Sequence, residues 1–350
     1  MSATVDTRQE TAGKPPRISS RRLTERVFRV RESGIIVVLI VFVAITVSIE
    51  PRFASQQEVQ FILANTTIFA LLALGETMVI VSRNVDLSIG SVVGLSAYVS
   101  ASLFGKIHGI PIVVVFLVGL GIGLAVGVAN GLMVAIGRVP SLVVTLATLY
   151  IVRGLDILIV GGNEVVAQTL PNAFIQIPRA GVYGVPYLAI VIAVVIGVGA
   201  YYLRSYRSGR ELYAIGSNPE AARLAGIRVG RRVFTAFAVS GAIAGVAGVL
   251  WAAQYQTVDS NAGTGYELTV IASVVVGGVA IFGGSGSAVG AAIGALLLQT
   301  INSALYVLGI SPFWDQAIAG ALLLAAITLD RIISLRLTAA LRRRSAGVGT

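Results

Sequence analysis

The stretch Pro111-Ile-Val-Val-Val-Phe-Leu-Val-Gly-Leu-Gly-Ile-Gly-Leu-Ala-Val-Gly-Val-Ala-Asn-Gly-Leu-Met-Val-Ala-Ile136 decides the fold class. It runs for 26 residues without an ionisable side chain. About 20 such residues suffice for a helix to cross the hydrocarbon core of a bilayer. Its glycines would weaken a helix in water. Between membrane helices, where no hydrophobic force drives association, small residues let backbones approach closely.

The rest of the chain repeats this composition. It is 56% hydrophobic and 12% charged, against about 45–50% and about 25% in soluble domains. A soluble fold has nowhere to bury the excess. Ten apolar segments stand out: 34–49, 59–81, 86–105, 111–136, 139–160, 184–203, 231–254, 266–282, 287–308 and 313–333. They predict an all-α, polytopic integral membrane protein of about ten transmembrane helices, some broken or re-entrant. The third and ninth start in Gly/Ser-rich sequence and are the candidates for a break. Gly90-Ser-Val-Val-Gly94 opens the third and Gly290-Ala-Ala-Ile-Gly294 the ninth. Such motifs serve close helix packing, or mark the matching polar breaks of a transporter built from repeats. The run Gly34–Ile49 ends in Ser48-Ile49-Glu50-Pro51, which offers no small-x-small cleavage site. It reads as an uncleaved first span rather than a signal peptide.

The charges orient these spans. Of 26 Lys and Arg, 22 fall in segments that share one side when the N-terminus is cytoplasmic. They lie in the N-terminal tail, at Arg83 and Arg138, from Arg204 to Arg232, and from Arg331 onward. Arg52, Lys106 and Arg179 fall outside. This is the positive-inside pattern, and it needs an even number of spans with both termini cytoplasmic. Residues 1–33 read as a disordered basic cytoplasmic tail, 34–333 as the membrane domain with a cytoplasmic loop at 204–230, and 334–350 as a second basic tail. Membrane lipid is the implied surroundings, with no nucleic-acid partner.

Ionisable residues inside spans are expensive and therefore functional candidates. Glu76 lies near the inner end of span two and Asp86 begins span three, with Asn84 and Ser88 beside them. This cluster either holds two spans in register or lines the exit of a pathway. Arg153 and Asp156, three apart, share one helix face and pair. With Tyr150 they form a polar patch that either serves a solute or only orients span five. Asn65, Asn130, Gln254, Gln299 and Asn302 are neutral polar residues in apolar runs, suited to bonding between helices, with one or two facing a pore.

The most informative loop segment is Asn218-Pro-Glu-Ala-Ala-Arg-Leu-Ala-Gly226. Asn218 suits an N-cap, Pro219 the first helical position, Glu220 the positive end of the dipole and Gly226 the C′ position. The predicted product is a short capped helix outside the bilayer. Its small residues Ala221, Ala222 and Ala225 fit a groove on another protein, with Arg223 at the rim, or the helix only orders the loop on the inner surface. On that expectation Ala222→Trp should clash with the partner while inserting normally.

These residues carry a resemblance. Glu220-Ala221-Ala222-x-x-x-Gly226 resembles the Glu-Ala-Ala…Gly signature of permease subunits of bacterial ATP-binding-cassette importers. Gly75-Glu-Thr-Met-Val-Ile-Val-Ser-Arg-Asn-Val-Asp-Leu-Ser-Ile-Gly-Ser91, Val139-Pro-Ser-Leu-Val-Val-Thr-Leu-Ala-Thr148, Gly209-Arg-Glu-Leu-Tyr-Ala-Ile-Gly216 and Val276-Gly-Gly-Val-Ala-Ile-Phe-Gly-Gly-Ser-Gly286 support the branch with ribose, rhamnose and autoinducer-2 permeases. Arg83-Asn84 stands where many relatives have Gly-Gly, which looks closer to the rhamnose and autoinducer-2 permeases. The resemblance implies that Asn218 to Gly226 couple to a cytoplasmic ATP-binding subunit. It also implies a second permease copy or paralogue, and a periplasmic or lipid-anchored substrate-binding protein.

Other classes fit less well. An ion-gradient-driven secondary transporter shares buried polar groups and broken helices but needs no capped cytoplasmic helix. An intramembrane enzyme needs a nucleophile with a base, or a metal cluster. The chain has no cysteine, one histidine and no Gly-Lys-Ser/Thr phosphate loop. No catalytic residue, cofactor or metal is therefore expected, and ATP hydrolysis belongs to a separate subunit. A channel or scaffold lacks a charged ring motif. Reporter fusions test the orientation: a fusion after Thr350 should report a cytoplasmic C-terminus, and a periplasmic signal would contradict the even span count.

Overall fold

A backbone in hydrocarbon has no water to bond to, so each N–H and C=O must be satisfied within its own segment. The computed structural model describes residues 20–311, 313–328 and 332, with side chains from residue 33 onward, and is almost all helix. In chain order come α1 (Ser20–Ile49), α2 (Gln56–Val81), α3 (Ile89–Lys106), α4 (Ile112–Ala135), α5 (Ser141–Val160) and the short α6 (Asn172–Ile175). A hairpin of β1 (Gly181–Val182) and β2 (Val185–Pro186) follows, then α7 (Tyr187–Ser205), α8 (Arg207–Ser217), α9 (Pro219–Leu224), α10 (Val229–Tyr255), α11 (Tyr266–Val276) and α12 (Ala288–Val307). The last is α13 (Trp314–Thr328). Each of the ten apolar segments coincides with one of these helices. Six of them, α2, α4, α5, α7, α10 and α12, are long and apolar enough to cross a membrane, so the chain is an all-α polytopic membrane protein.

The centre is α10, packed on α2, α3 and α4. Gly119, Gly123, Gly127 and Gly131 repeat every four residues and form one stripe of α4. Opposite them on α10 lie Gly245, Gly241, Phe237 and Phe234. A Cβ on Gly123 would sit 2.1 Å from the Gly241 carbonyl oxygen, and one on Gly245 2.1 Å from that of Gly119. The two backbones therefore touch directly, which only glycine permits.

α11 is the shortest of the three apolar helices that fall below spanning length among the described residues. Its 11 residues span about 16 Å, roughly half of a bilayer core of about 30 Å. The third and ninth segments are the candidates for a broken or re-entrant span; α3 and α12 are continuous, and the segment that stops short is the eighth. The helix stops at Val276 because Gly277-Gly278 follows, with Gly278 at φ +95°. The two Gly-x-x-x-Gly motifs grip this half-helix from opposite ends. Gly90 of α3 lies against Gly263 and Glu267 at its start, and Gly294 of α12 against Ser273 near its end.

The tail expectation needs a correction as well. Residues 20–33, read as disordered, form the first turns of α1. From Ser20 to Ser33 the sequence holds no Gly or Pro, so a helix begun in the apolar part propagates without a breaker. Residues 1–19 and the tail 334–350 lie outside the described residues.

The turns carrying Arg83 and Arg138 meet α9 at one end of the bundle, here called the basic end. The 277–287 loop reaches the same place, where the Gly284 N–H donates to the Val81 carbonyl at 3.0 Å. At the opposite end Gln60 Nε2 donates to the Arg179 carbonyl, and Val165 bridges Val258. Replacing Gly123 by Val should destabilise the purified protein by about 1–3 kcal/mol or more through overpacking. Gly121, with nothing within 4 Å of a built Cβ, should accept Ala with a change within about 1 kcal/mol. Melting in detergent checks the pair, and equal melting temperatures would refute the glycine seam.

Candidate translocation site and coupling helix

The turn between α2 and α3 is a polar staple. Glu76, fully buried, accepts from the Asp86 N–H at 3.1 Å. Asp86 accepts from the Ser88 N–H and hydroxyl at 2.9 and 2.6 Å. Asn130 of α4 donates to Ser88 Oγ at 2.9 Å and accepts from Thr148 of α5 at 2.7 Å. Asn84 closes the turn onto Ser82. Four helices, α2, α3, α4 and α5, are tied at one point. Arg83 takes the left-handed conformation at φ +68°, the conformation glycine adopts at no cost.

Arg153 and Asp156 meet, with Arg153 Nη1 3.6 Å from Asp156 Oδ2. Arg153 Nη1 also donates to the carbonyls of Ala262 at 2.7 Å and Ser260 at 3.3 Å. The pair therefore clamps the 256–265 loop that leads into α11. Tyr150, the third residue of the expected patch, is 69% exposed. It lies one turn earlier on the outer face of α5 and takes no part in the patch.

On the other side of that loop a cavity of about 300 Å³ opens. Asn65 and Phe69 come from α2, Tyr255 from the end of α10, and Tyr266 from α11. Gln299, Asn302 and Ser303 come from α12, and Asp315 and Gln316 from the start of α13. Trp251 Nε1 donates to the Tyr266 hydroxyl at 2.8 Å, and the Tyr255 hydroxyl donates to Asn65 Oδ1 at 3.0 Å. The Tyr266 ring is tilted on Phe69 with centroids 4.5 Å apart. Aromatic faces beside amide, hydroxyl and carboxylate groups suit a polar solute that carries both C–H faces and hydroxyls. The sequence had marked Asn65, Gln299 and Asn302, which the fold gathers here. It missed Tyr255, Tyr266 and Asp315. Asp315, an ionisable residue in an apolar segment, carried a signal that the rule on charges in spans would have caught.

At the basic end the predicted caps are in place. Asn218 Oδ1 accepts from the Glu220 and Ala221 N–H groups at 3.1 and 3.0 Å. Gly226, at φ +79°, donates to the Arg223 carbonyl and Ile227 to that of Ala222, both at 3.0 Å. This is the double bond pattern of a Schellman motif. The face is not the expected one. Ala222 is 4% exposed and packs into the protein's own core, whereas Leu224 is 91% exposed. The outward face is Glu220, Ala221, Arg223, Leu224 and Ala225.

α8 anchors α9 to the bundle. Glu211 accepts from Arg232 of α10 at 2.5 Å and from Arg207 at 2.8 Å. Chiefly the Arg232 bond holds its carboxyl below the usual range. Gly216 lies against the Val81 carbonyl and Gly284, and the Tyr213 hydroxyl donates to the Gly286 carbonyl at 3.1 Å. Contacts thus run from α9 through α8 to the 277–287 loop and on to α11, a wall of the cavity.

A multi-pass bundle with a polar cavity and a broken helix defines a membrane-spanning solute permease. The chain belongs to the family described as branched-chain amino acid transport system / permease component, whose model matches residues 59–327. It is similar to the autoinducer 2 import system permease protein LsrC of Enterobacter sp. (strain 638), 34% identical over 86% of this chain and 86% of that one. It is 33% identical to the ribose import permease protein RbsC of Escherichia coli (strain K12), over 89% of this chain and 97% of that one. RbsC of Haemophilus influenzae is 34% identical over 85% of this chain and 92% of its own length. No solved structure matches the chain. These relatives favour the importer reading over the ion-gradient alternative.

Arg153→Ala would strand Asp156, fully buried and without a hydrogen bond, at a cost of about 3–5 kcal/mol. A double-mutant cycle with Asp156→Ala should show clear non-additivity in melting temperature and uptake. Two single variants with normal stability and uptake would make the pair a spectator.

Proposed function

We propose that the chain is the membrane-spanning subunit of an ATP-binding-cassette importer for a monosaccharide or sugar-like solute. The names of its relatives support the autoinducer-2 and ribose types, and the resemblance at Arg83-Asn84 adds rhamnose. A separate cytoplasmic subunit hydrolyses ATP. A second permease copy or paralogue completes the pathway, and a periplasmic or lipid-anchored binding protein delivers the solute. The basic end, with both termini, faces the cytoplasm of a bacterial inner membrane.

The observation that carries this reading is the geometry of α9. It is capped at both ends, fixed to the bundle through Ala222, and turns Leu224 outward. A large apolar side chain left bare on a rigid helix fits insertion into a partner's groove. A partner that pushes on this face moves α8, and with it the loop that ends α11. The wall of the cavity that contains Thr264, Tyr266 and Thr269 then shifts with the half-helix.

Leu224→Glu tests the reading. On a free surface the change costs within about 0.5 kcal/mol, so insertion and melting should stay normal. Co-purification of the ATP-binding subunit and uptake should fail together. Normal uptake would remove the support α9 gives. Ala222→Trp now has a different expected outcome: it overpacks the permease itself and lowers its melting by about 1–3 kcal/mol.

A further inference from the structure

At the basic end, between the α4–α5 turn, the α2–α3 turn and the start of α10, lies a second cavity of about 630 Å³. Arg83, Arg138, Arg223, Arg228 and Arg231 line it, and no acidic residue does. Among the described residues Arg223 forms an ion pair with Glu220, at 3.2 Å. Among the described residues the other four make no ion pair. Like charges converging on one concavity repel, and that repulsion favours an anion in the centre.

Two further observations point the same way. Arg83 and Arg138 both sit in the left-handed backbone region, at φ +68° and +56°. Glycine would hold these positions without strain, yet each is an arginine in the lining of this cavity. The long helix α10 begins at its wall with Val229, Gly230 and Arg231. It has no acidic residue in its first turn and no side-chain cap. Its free N–H groups and positive dipole end therefore add to the anion site.

The rest of the lining identifies the source of the anion. Val134, Ala135, Val139 and Pro140 form an apolar side. It continues onto exposed Leu132, Met133 and Ile136 at the end of α4. A free anion has no use for that surface, whereas acyl chains do. We propose that this cavity binds the phosphodiester headgroup of an anionic phospholipid, with its chains along the end of α4. Guanidinium groups suit phosphate oxygens through paired N–H donors.

The test uses the purified full-length chain in a neutral detergent. Native mass spectrometry would measure retention of phosphatidylglycerol and phosphatidylcholine by the wild type and by an Arg83→Gly, Arg138→Gly double variant. Glycine relieves both backbone positions, so the variant should melt no lower than wild type. The wild type should retain phosphatidylglycerol in preference to phosphatidylcholine. The double variant should lose that preference by about tenfold or more, from two guanidinium groups near the membrane surface. Equal retention of the two lipids, or unchanged retention by the variant, would overturn the site. Displacement of the lipid by millimolar inorganic phosphate would overturn the lipid assignment in favour of a free anion. So would an assembled complex in which the ATP-binding subunit shields these arginines and no lipid remains.

Discussion

The backbone contact between α4 and α10 is the constraint on which the rest depends. In hydrocarbon, apolar side chains gain nothing by leaving lipid, so a helix pair holds only through close packing and bonds across it. Here glycine on both sides brings the carbonyl of one helix against the Cα of the other. α10 is thereby fixed, and it carries the elements that matter at both ends. Its start holds Arg232 against Glu211, which seats α8. Its end presents Tyr255 to the cavity and holds Tyr266 there through the Trp251 Nε1 bond.

The second constraint is satisfaction of the backbone around the half-helix. Non-helical chain at membrane depth survives only where protein covers it. The 256–265 loop is covered by Arg153, which bonds two of its carbonyls. The 277–287 loop is covered by the end of α2 and by Tyr213 of α8. α11 therefore hangs between two pinned loops, and the Gly-x-x-x-Gly motifs of α3 and α12 leave it room to pack. In the proposed importer such an element is suited to carry movement from α9 to the cavity wall.

Much of this was legible in the sequence, for identifiable reasons. Spans announce themselves because a bilayer demands long apolar runs, and the caps of α9 because Asn218, Pro219 and Gly226 act locally. The Arg153–Asp156 pair follows from helical spacing alone. What stayed hidden depends on tertiary direction. Ala222 turns inward and Leu224 outward because of how α8 seats the short helix, which no local rule gives. Tyr150 is left exposed beside the half-buried Arg153 because the rotation of α5 against α3 covers one of the two and not the other. The cavity joins residues as far apart as Asn65 and Asp315, and only the fold brings them together. The short helix stays hidden because Gly/Ser-rich sequence marks the starts of the third and ninth segments, whereas Gly277-Gly278 ends the eighth.

Mechanical coupling through α9 is tested most directly by single-cysteine labelling, since the chain has no cysteine of its own. Leu224→Cys and Ala222→Cys would be exposed to a membrane-impermeant maleimide with and without the ATP-binding subunit. Leu224→Cys should label rapidly in the permease alone and be protected once the partner assembles. Ala222→Cys should stay unlabelled in both. Full labelling of Leu224→Cys in the assembled, active transporter would contradict a docked α9.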